Sequence, residues 1–178
     1  MVRRPPLHRR LFGRRVLRLG YRFAFVAAHG WWAAWGSHNR GAKCILFNDG
    51  ELLLVRHTYG DRRSWDFPGG FVRRHEDPRT AAARELGEEL GVEPSELLEL
   101  GSLVVEFGRR SDTVHYFHAQ LPDRRLVPDD IELAEVGWFD PGALPPHPGE
   151  HVVDVLEWLD SREPLASLET DPGSPARG

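Results

Sequence analysis

The chain has 178 residues, of which 40% are hydrophobic and 28% charged, a length and mix that suit one soluble globular domain with a sizeable core. Its single cysteine, Cys44, excludes an intramolecular disulfide and any cysteine-rich metal site. The formal net charge of −4 hides a sharp division: residues 1–40 hold nine arginines and no acidic residue, which leaves −13 for residues 41–178.

Residues 1–40 read as a separate arginine-rich segment. Phe12, Val16, Leu19, Phe23 and Val26 form an apolar stripe on a helical wheel, with Arg10, Arg14, Arg18 and Arg22 opposite. The apolar run Phe23–Trp35 is 13 residues long. Spanning a bilayer takes about 20. A basic face with Trp31, Trp32 and Trp35 suits a helix lying at a membrane surface. The alternatives are a helix packed on the domain or on the mate of a homodimer, and a targeting segment. No known nucleic-acid module is present, so no specific nucleic-acid partner is expected. Cys44 lies in an apolar run and reads as a buried thiol. The expected location is the cytoplasm, with peripheral contact at the inner membrane face as the alternative.

The compact domain is expected over residues 41–160. Ala42–Phe47 and Leu52–His57 are strand-like runs joined by Asn48-Asp49-Gly50, a strong hairpin signal. Thr58–Ser64 is a polar loop, and its Arg62 and Arg63, with Trp65 just beyond, are candidate substrate contacts. Next comes the stretch GGFVRRHEDPRTAAARELGEELGV, Gly69 to Val92. Asp77 followed by Pro78 predicts a helix start, and Gly91 predicts its end. Ala82, Ala83, Leu86 and Leu90 are expected on the packed face. Glu85, Glu88 and Glu89 share the adjacent arc, roughly 100° wide at 3.6 residues per turn. Carboxylates so spaced lie about 5–6 Å apart. Like charges that close disfavour ionisation. A hard divalent cation such as Mg²⁺, which takes carboxylate and phosphate oxygens, relieves them.

Gly70, five residues, Glu76, seven residues, Arg84-Glu85-Leu86, one residue, Glu88-Glu89, one residue, Gly91-Val92: this pattern resembles the Nudix box of the Nudix hydrolases at every defined position. The preceding Trp65-Asp66-Phe67-Pro68-Gly69 is similar to the family's lead-in. Two local departures are His75, where many members have glycine, and Gly87 inside the helix. The resemblance implies an α/β/α sandwich, of α/β (α+β) class, with a mixed sheet between helices. It implies hydrolysis of a diphosphate bond in a nucleoside diphosphate linked to another group, ADP-ribose or a similar derivative, with Mg²⁺ or Mn²⁺. Glu85, Glu88 and Glu89 would hold the metal with the carbonyl of Gly69, and one of them would turn to base catalysis. Arg84 would orient the glutamates. Two alternatives stay open: a nucleotide-binding regulator without hydrolysis, and a membrane-surface hydrolase of a lipid-linked diphosphate.

Beyond the box, Leu97–Phe107, Thr113–Leu121 and Ile131–Phe139 read as strands. The family often adds a carboxylate from a later strand or loop; Glu135 is the first candidate here, then Asp112 and Glu132. His115 and His118 are three apart in a strand, so they face opposite ways and do not make a joint metal site. Trp138 is expected in the core. Val152–Leu159 is a short amphipathic helix, and residues 161–178 read as a disordered tail.

Overall fold

The computed structural model describes residues 39–107 and 110–161. The expectations for the arginine-rich segment up to residue 38 and for the tail from residue 162 lie outside the described residues. Among the described residues no helix is long and apolar enough to cross a membrane.

Among the described residues six strands and two helices follow in the order β1 (Arg40–Asn48), β2 (Glu51–His57), β3 (Gly69–Phe71), α1 (Pro78–Leu90), β4 (Leu98–Phe107), β5 (Arg110–Gln120), β6 (Leu133–Phe139) and α2 (Glu150–Asp160). They form one mixed sheet of order β4-β5-β1-β2-β6, with β3 also paired to β1. β1 and β5 run parallel, from Arg40↔Thr113 to Phe47↔Gln120. The other pairs are antiparallel.

The hairpin turn forms because Asp49 and Gly50 both adopt positive φ, 49° and 77°, which matches the twist of the strands. Only the tip of the hairpin is paired, at Phe47↔Leu52 and Asn48↔Glu51. Below it the strands part, and the segment Trp65–Phe71 is wedged between them. On one side Val55 and Asp66 exchange two backbone bonds of 2.9 Å. On the other, the Cys44 N–H donates to the Pro68 carbonyl at 2.9 Å, and Gly41–Lys43 pair with β3.

Alternation along β1 and β2 builds two cores. Ala42, Cys44, Leu46, Leu53 and Val55 face one way, against Ala81, Ala82, Leu86 and Leu90 of α1. Ile45, Phe47, Leu52 and Leu54 face the other way, against Val152, Val155, Leu156 and Leu159 of α2. Both faces are covered, which is why these strands read as unbroken apolar runs rather than alternating ones. The α/β/α sandwich expected from the sequence is the observed architecture. The packed stripe of α1 differs by one step: Ala81 is buried and Ala83 is exposed, so the buried arc includes Glu89. Trp138 packs against the α1-side core, with the Arg124 guanidinium 5.5 Å from its ring centre.

Gly87 lies on the exposed side of α1, and a Cβ built there meets no atom within 4 Å. Gly87→Ala is expected to stabilise the fold by about 1 kcal/mol. That is an upward shift of about 3–5 °C in the thermal midpoint. An unchanged or lower midpoint would show that the position is not open.

Candidate active site

The helix that carries the acids is fixed at both ends. The Asp77 side chain accepts from the N–H groups of Arg79 at 3.0 Å and Thr80 at 3.2 Å, and Pro78 fills the first helical position. At the other end Gly91 adopts φ 67°; its N–H reaches the Gly87 carbonyl, and that of Val92 reaches Leu86. Between β3 and α1 the chain turns sharply, with the Arg73 N–H on Glu76 Oε2 at 2.8 Å and His75 at φ 65°. That conformation favours glycine, which gives the departure at His75 a physical meaning.

Arg84 is the centre of charge. Its Nε and Nη2 bind Glu76 in a two-pronged grip at 2.9 and 3.0 Å. Nη1 donates to Glu85 Oε1 at 2.7 Å and Glu88 Oε2 at 3.2 Å, and Nη2 also donates to the Phe71 carbonyl at 3.0 Å. A guanidinium has five N–H groups. All five are used. The hydrogen bonds from Arg84, helped by the Arg73 N–H, pull the Glu76 carboxyl down to about 2. Arg84 itself is held above its ordinary range, Glu76 being the largest cause.

Glu85 and Glu89 meet the glycine bend. A Cβ on Gly70 would sit 2.6–2.8 Å from the Glu85 carboxylate, so the bare α-carbon is what makes room for that group. Glu89 is 2% exposed, and its Oε2 accepts the Gly69 N–H at 2.8 Å. Burial pushes the Glu89 carboxyl up to about 8; Lys43 and the Gly69 N–H pull it down, while Glu85 and Glu132 push it further up. Glu88 turns outward, with 56% of its side chain exposed, toward Arg84 and toward Arg73 at 3.5 Å. The structure thus brings two of the three expected carboxylates to the bend, and among the described residues no three His, Cys, Asp or Glu side chains close around one point.

The residues outside the box are placed differently from the expectation. Glu135 does not reach the box. Val136 packs on the α1-side core, so Glu135 faces the other way, where it pairs with Arg56. Arg56 in turn lies 5.1 Å over Trp65. Trp65 is 7% exposed in the α2-side core, edge-on to Phe139, so its ring is a packing element. Arg62 and Arg63 are exposed, and the Arg63 side chain lies 4.0 Å from Asp61. Asp112 accepts the Asn39 N–H at 3.0 Å and secures the entry to β1. Glu132 is the carboxylate outside the box whose charge acts on Glu89. Its backbone is pinned: the Thr58 N–H donates to the Glu132 carbonyl at 2.8 Å and the Thr58 hydroxyl to that of Ile131 at 2.7 Å. His118 is buried with Nδ1 3.2 Å from the Ile45 carbonyl, a structural histidine.

The model of the NUDIX domain matches residues 37–160. The chain belongs to the NUDIX domain family. A protein of Bacillus subtilis (strain 168), provisionally named an 8-oxo-dGTP diphosphatase, is 32% identical over 109 residues, 61% of this chain and 70% of that one. The NAD-capped RNA hydrolase NudC of Pseudomonas aeruginosa (strain LESB58) is 33% identical over 110 residues, 59% of this chain and 39% of its own length. The crystal structure of a MutT NUDIX hydrolase from Burkholderia pseudomallei superposes with a TM-score of 0.62 at 22% identity, over 68% of this chain and 97% of that one, and shares the fold. The protein is a Nudix hydrolase of pyrophosphate bonds, and Glu76, Arg84, Glu85, Glu88 and Glu89 are the charged positions of its Nudix box.

The Nudix donor set suits a hard divalent cation. It offers oxygens only, and one of its carboxyls, Glu89, is raised first by burial and further by Glu85 and Glu132, which a nearby positive charge would relieve. The contact at Gly70 can be tested directly. Gly70→Ala displaces the end of a flexible side chain, not backbone, so the fold is retained while Glu85 moves. The expected result is a melting midpoint close to that of the wild type and turnover reduced by about tenfold or more. Unchanged turnover would show that the Glu85 position is not needed.

Proposed function

We propose that this chain hydrolyses the diphosphate linkage of a nucleoside diphosphate derivative, using Mg²⁺ or Mn²⁺ held by Glu85, Glu88 and Glu89 with the carbonyl of Gly69. The observation that carries this reading is the meeting of Glu85 and Glu89 at the Gly69-Gly70 bend. A divalent cation supplies charge stabilisation for the phosphate oxygens as phosphorus is attacked. The chain's own residues do the rest. Glu85 and Glu89 present oxygens from one helix face, and the Gly69 N–H fixes the orientation of Glu89. Arg84 holds Glu76, Glu85 and Glu88 in place and has no N–H left for substrate. Glu135 pairs with Arg56 on the other face of the sheet, which leaves Glu132 as the candidate outside the box for orienting or deprotonating water. The group beyond the diphosphate is met by residues outside the box. The natural test is a Mg²⁺-dependent hydrolysis screen over nucleoside triphosphates, ADP-ribose and other sugar nucleotides, dinucleoside polyphosphates and capped RNA ends; no turnover of any of them refutes the proposal.

Glu85→Gln and Glu89→Gln are each expected to lower kcat by about 100-fold or more with the circular dichroism spectrum intact. Near-normal rates in both variants would remove the carboxylates from the mechanism.

The Glu89 environment also sets a pH dependence. Its carboxyl is raised from 4.5 to about 8 by folding, so the folded chain keeps a proton that the unfolded chain has lost between these values. Stability from this group is fully present below 4.5 and is lost as pH rises toward 8. Without divalent ions, Glu89→Gln should therefore melt higher than the wild type at pH 8, with the gap closing toward pH 5. Added Mg²⁺ should stabilise the wild type more at pH 8 than at pH 6. Melting curves that respond equally at both pH values would contradict this account.

A further inference from the structure

Among 23 basic side chains of the Lys and Arg type, Lys43 is the only lysine, and it stands in the middle of β1. Its ammonium donates to Asp66 Oδ2 at 2.8 Å and to the Phe67 carbonyl at 3.0 Å. The other oxygen of Asp66, Oδ1, lies 2.7 Å from Nε2 of His151, in the first turn of α2. Burial alone would raise the Asp66 carboxyl, but Lys43 and His151 outweigh it and hold it below the usual carboxylate range. Asp66 is thus ionised, and the His151 Nε2 carries the hydrogen between them. Two adjacent acceptors facing one compact cation suit an ammonium, whose three donors turn freely, better than a planar guanidinium fork.

The contact has a direction. Asp66 and Phe67 lead through Pro68 to Gly69, and the Gly69 N–H is the donor to Glu89. The same short segment is bonded to β1 at Cys44, to β2 at Val55, and to the start of α2 through Gly149 N–H on the Trp65 carbonyl at 2.8 Å. Its backbone is therefore held on three sides, and the Asp66 side chain ties it further to Lys43 and His151.

We propose that Lys43, Asp66 and His151 are positioning residues: they fix the Asp66–Gly69 segment so that the Gly69 N–H and the adjoining carbonyl meet the acids of α1, which links the first turn of α2 to the hydrolytic site on the opposite face of the sheet. This rests on the metal-dependent reading of Glu89 given above. A purely structural ion pair would do something else: its loss would lower stability and leave the site geometry alone.

His151 is the position to change, because 38% of its side chain is exposed and its variants are expected to fold. His151→Leu removes the hydrogen bond to Asp66; His151→Gln supplies an amide N–H in its place. Mg²⁺ affinity is read from the rise of the melting midpoint with Mg²⁺ concentration, and kcat and KM from hydrolysis of the best substrate of the screen. The expected result for His151→Leu is Mg²⁺ affinity weakened by about fivefold, kcat reduced by a similar factor and KM within about twofold. His151→Gln should return both to within about twofold of the wild type. Lys43→Met is expected to act in the same direction and more strongly; if it fails to fold, the His151 pair still decides. A lowered midpoint with unchanged Mg²⁺ affinity and kcat in His151→Leu would overturn the proposal. A wild-type protein whose melting ignores Mg²⁺ would overturn the metal reading itself, which is seen before any variant is compared.

Discussion

The structure depends on one close approach. Gly69 adopts φ 131°, and a Cβ there would lie 2.2 Å from the Ala42 carbonyl oxygen. No side chain can be carried at that point without moving the backbone of β1. Because the position is bare, the Trp65–Phe71 segment can lie between two strands that have separated, and its backbone can be bonded on both sides. The same geometry points the Gly69 N–H into the α1-side core, where Glu89 waits. Insertion of the segment and presentation of the Gly69 N–H to the acid are therefore coupled.

Charge at the site is settled by competition between repulsion and a single guanidinium. Two carboxylates about 5 Å apart repel by roughly 3 kcal/mol at an effective dielectric near 20. Four box acids so placed would spread apart if left to themselves. Arg84 prevents this for three of them with four directed bonds, two of which form a fork on Glu76, and a fifth ties it to the Phe71 carbonyl. Glu89 lies outside that set and is held by one backbone N–H. The result is a division of labour by environment. Glu76 is ionised and fixed, Glu88 is half in solvent, and Glu89 is buried with its proton retained to near pH 8.

Local signals carried most of the fold. Asp77-Pro78 and Gly91 marked the ends of α1 because caps are chemistry of single residues. Asn48-Asp49-Gly50 marked the hairpin for the same reason. What local pattern does not encode is which neighbour a side chain meets. Ala83 and Ala81 are two residues of equal size, and only the depth of the helix against the sheet decides that Ala81 is inside. Glu135 and Glu132 are three apart in one run, and the pairing of Glu135 with Arg56, beside a register shift between Arg56 and His57, is visible only in three dimensions. Trp65, just beyond Arg62 and Arg63, reads from the sequence as a candidate substrate contact, yet Phe139 and Arg56 pack on it. Lys43 left one trace, a lone lysine in an apolar strand, and its partner 23 residues away is visible only in three dimensions.

Glu89 shows why the site cannot be read as a by-product of folding. It occupies the buried arc of α1 beside Leu86 and Leu90, where an apolar side chain of similar size would pack without the desolvation of an acid. Nothing in the packing of α1 against β1 asks for oxygen at this point. The single hydrogen bond from Gly69 satisfies one of the two carboxyl oxygens. Neighbouring Glu85 and Glu132 make the position worse for a negative charge, not better. A fold selected for stability alone would discard this arrangement. Its presence next to a backbone bend that tolerates no side chain means that local consistency has been given up at one place, and that place is the site proposed above for the pyrophosphate.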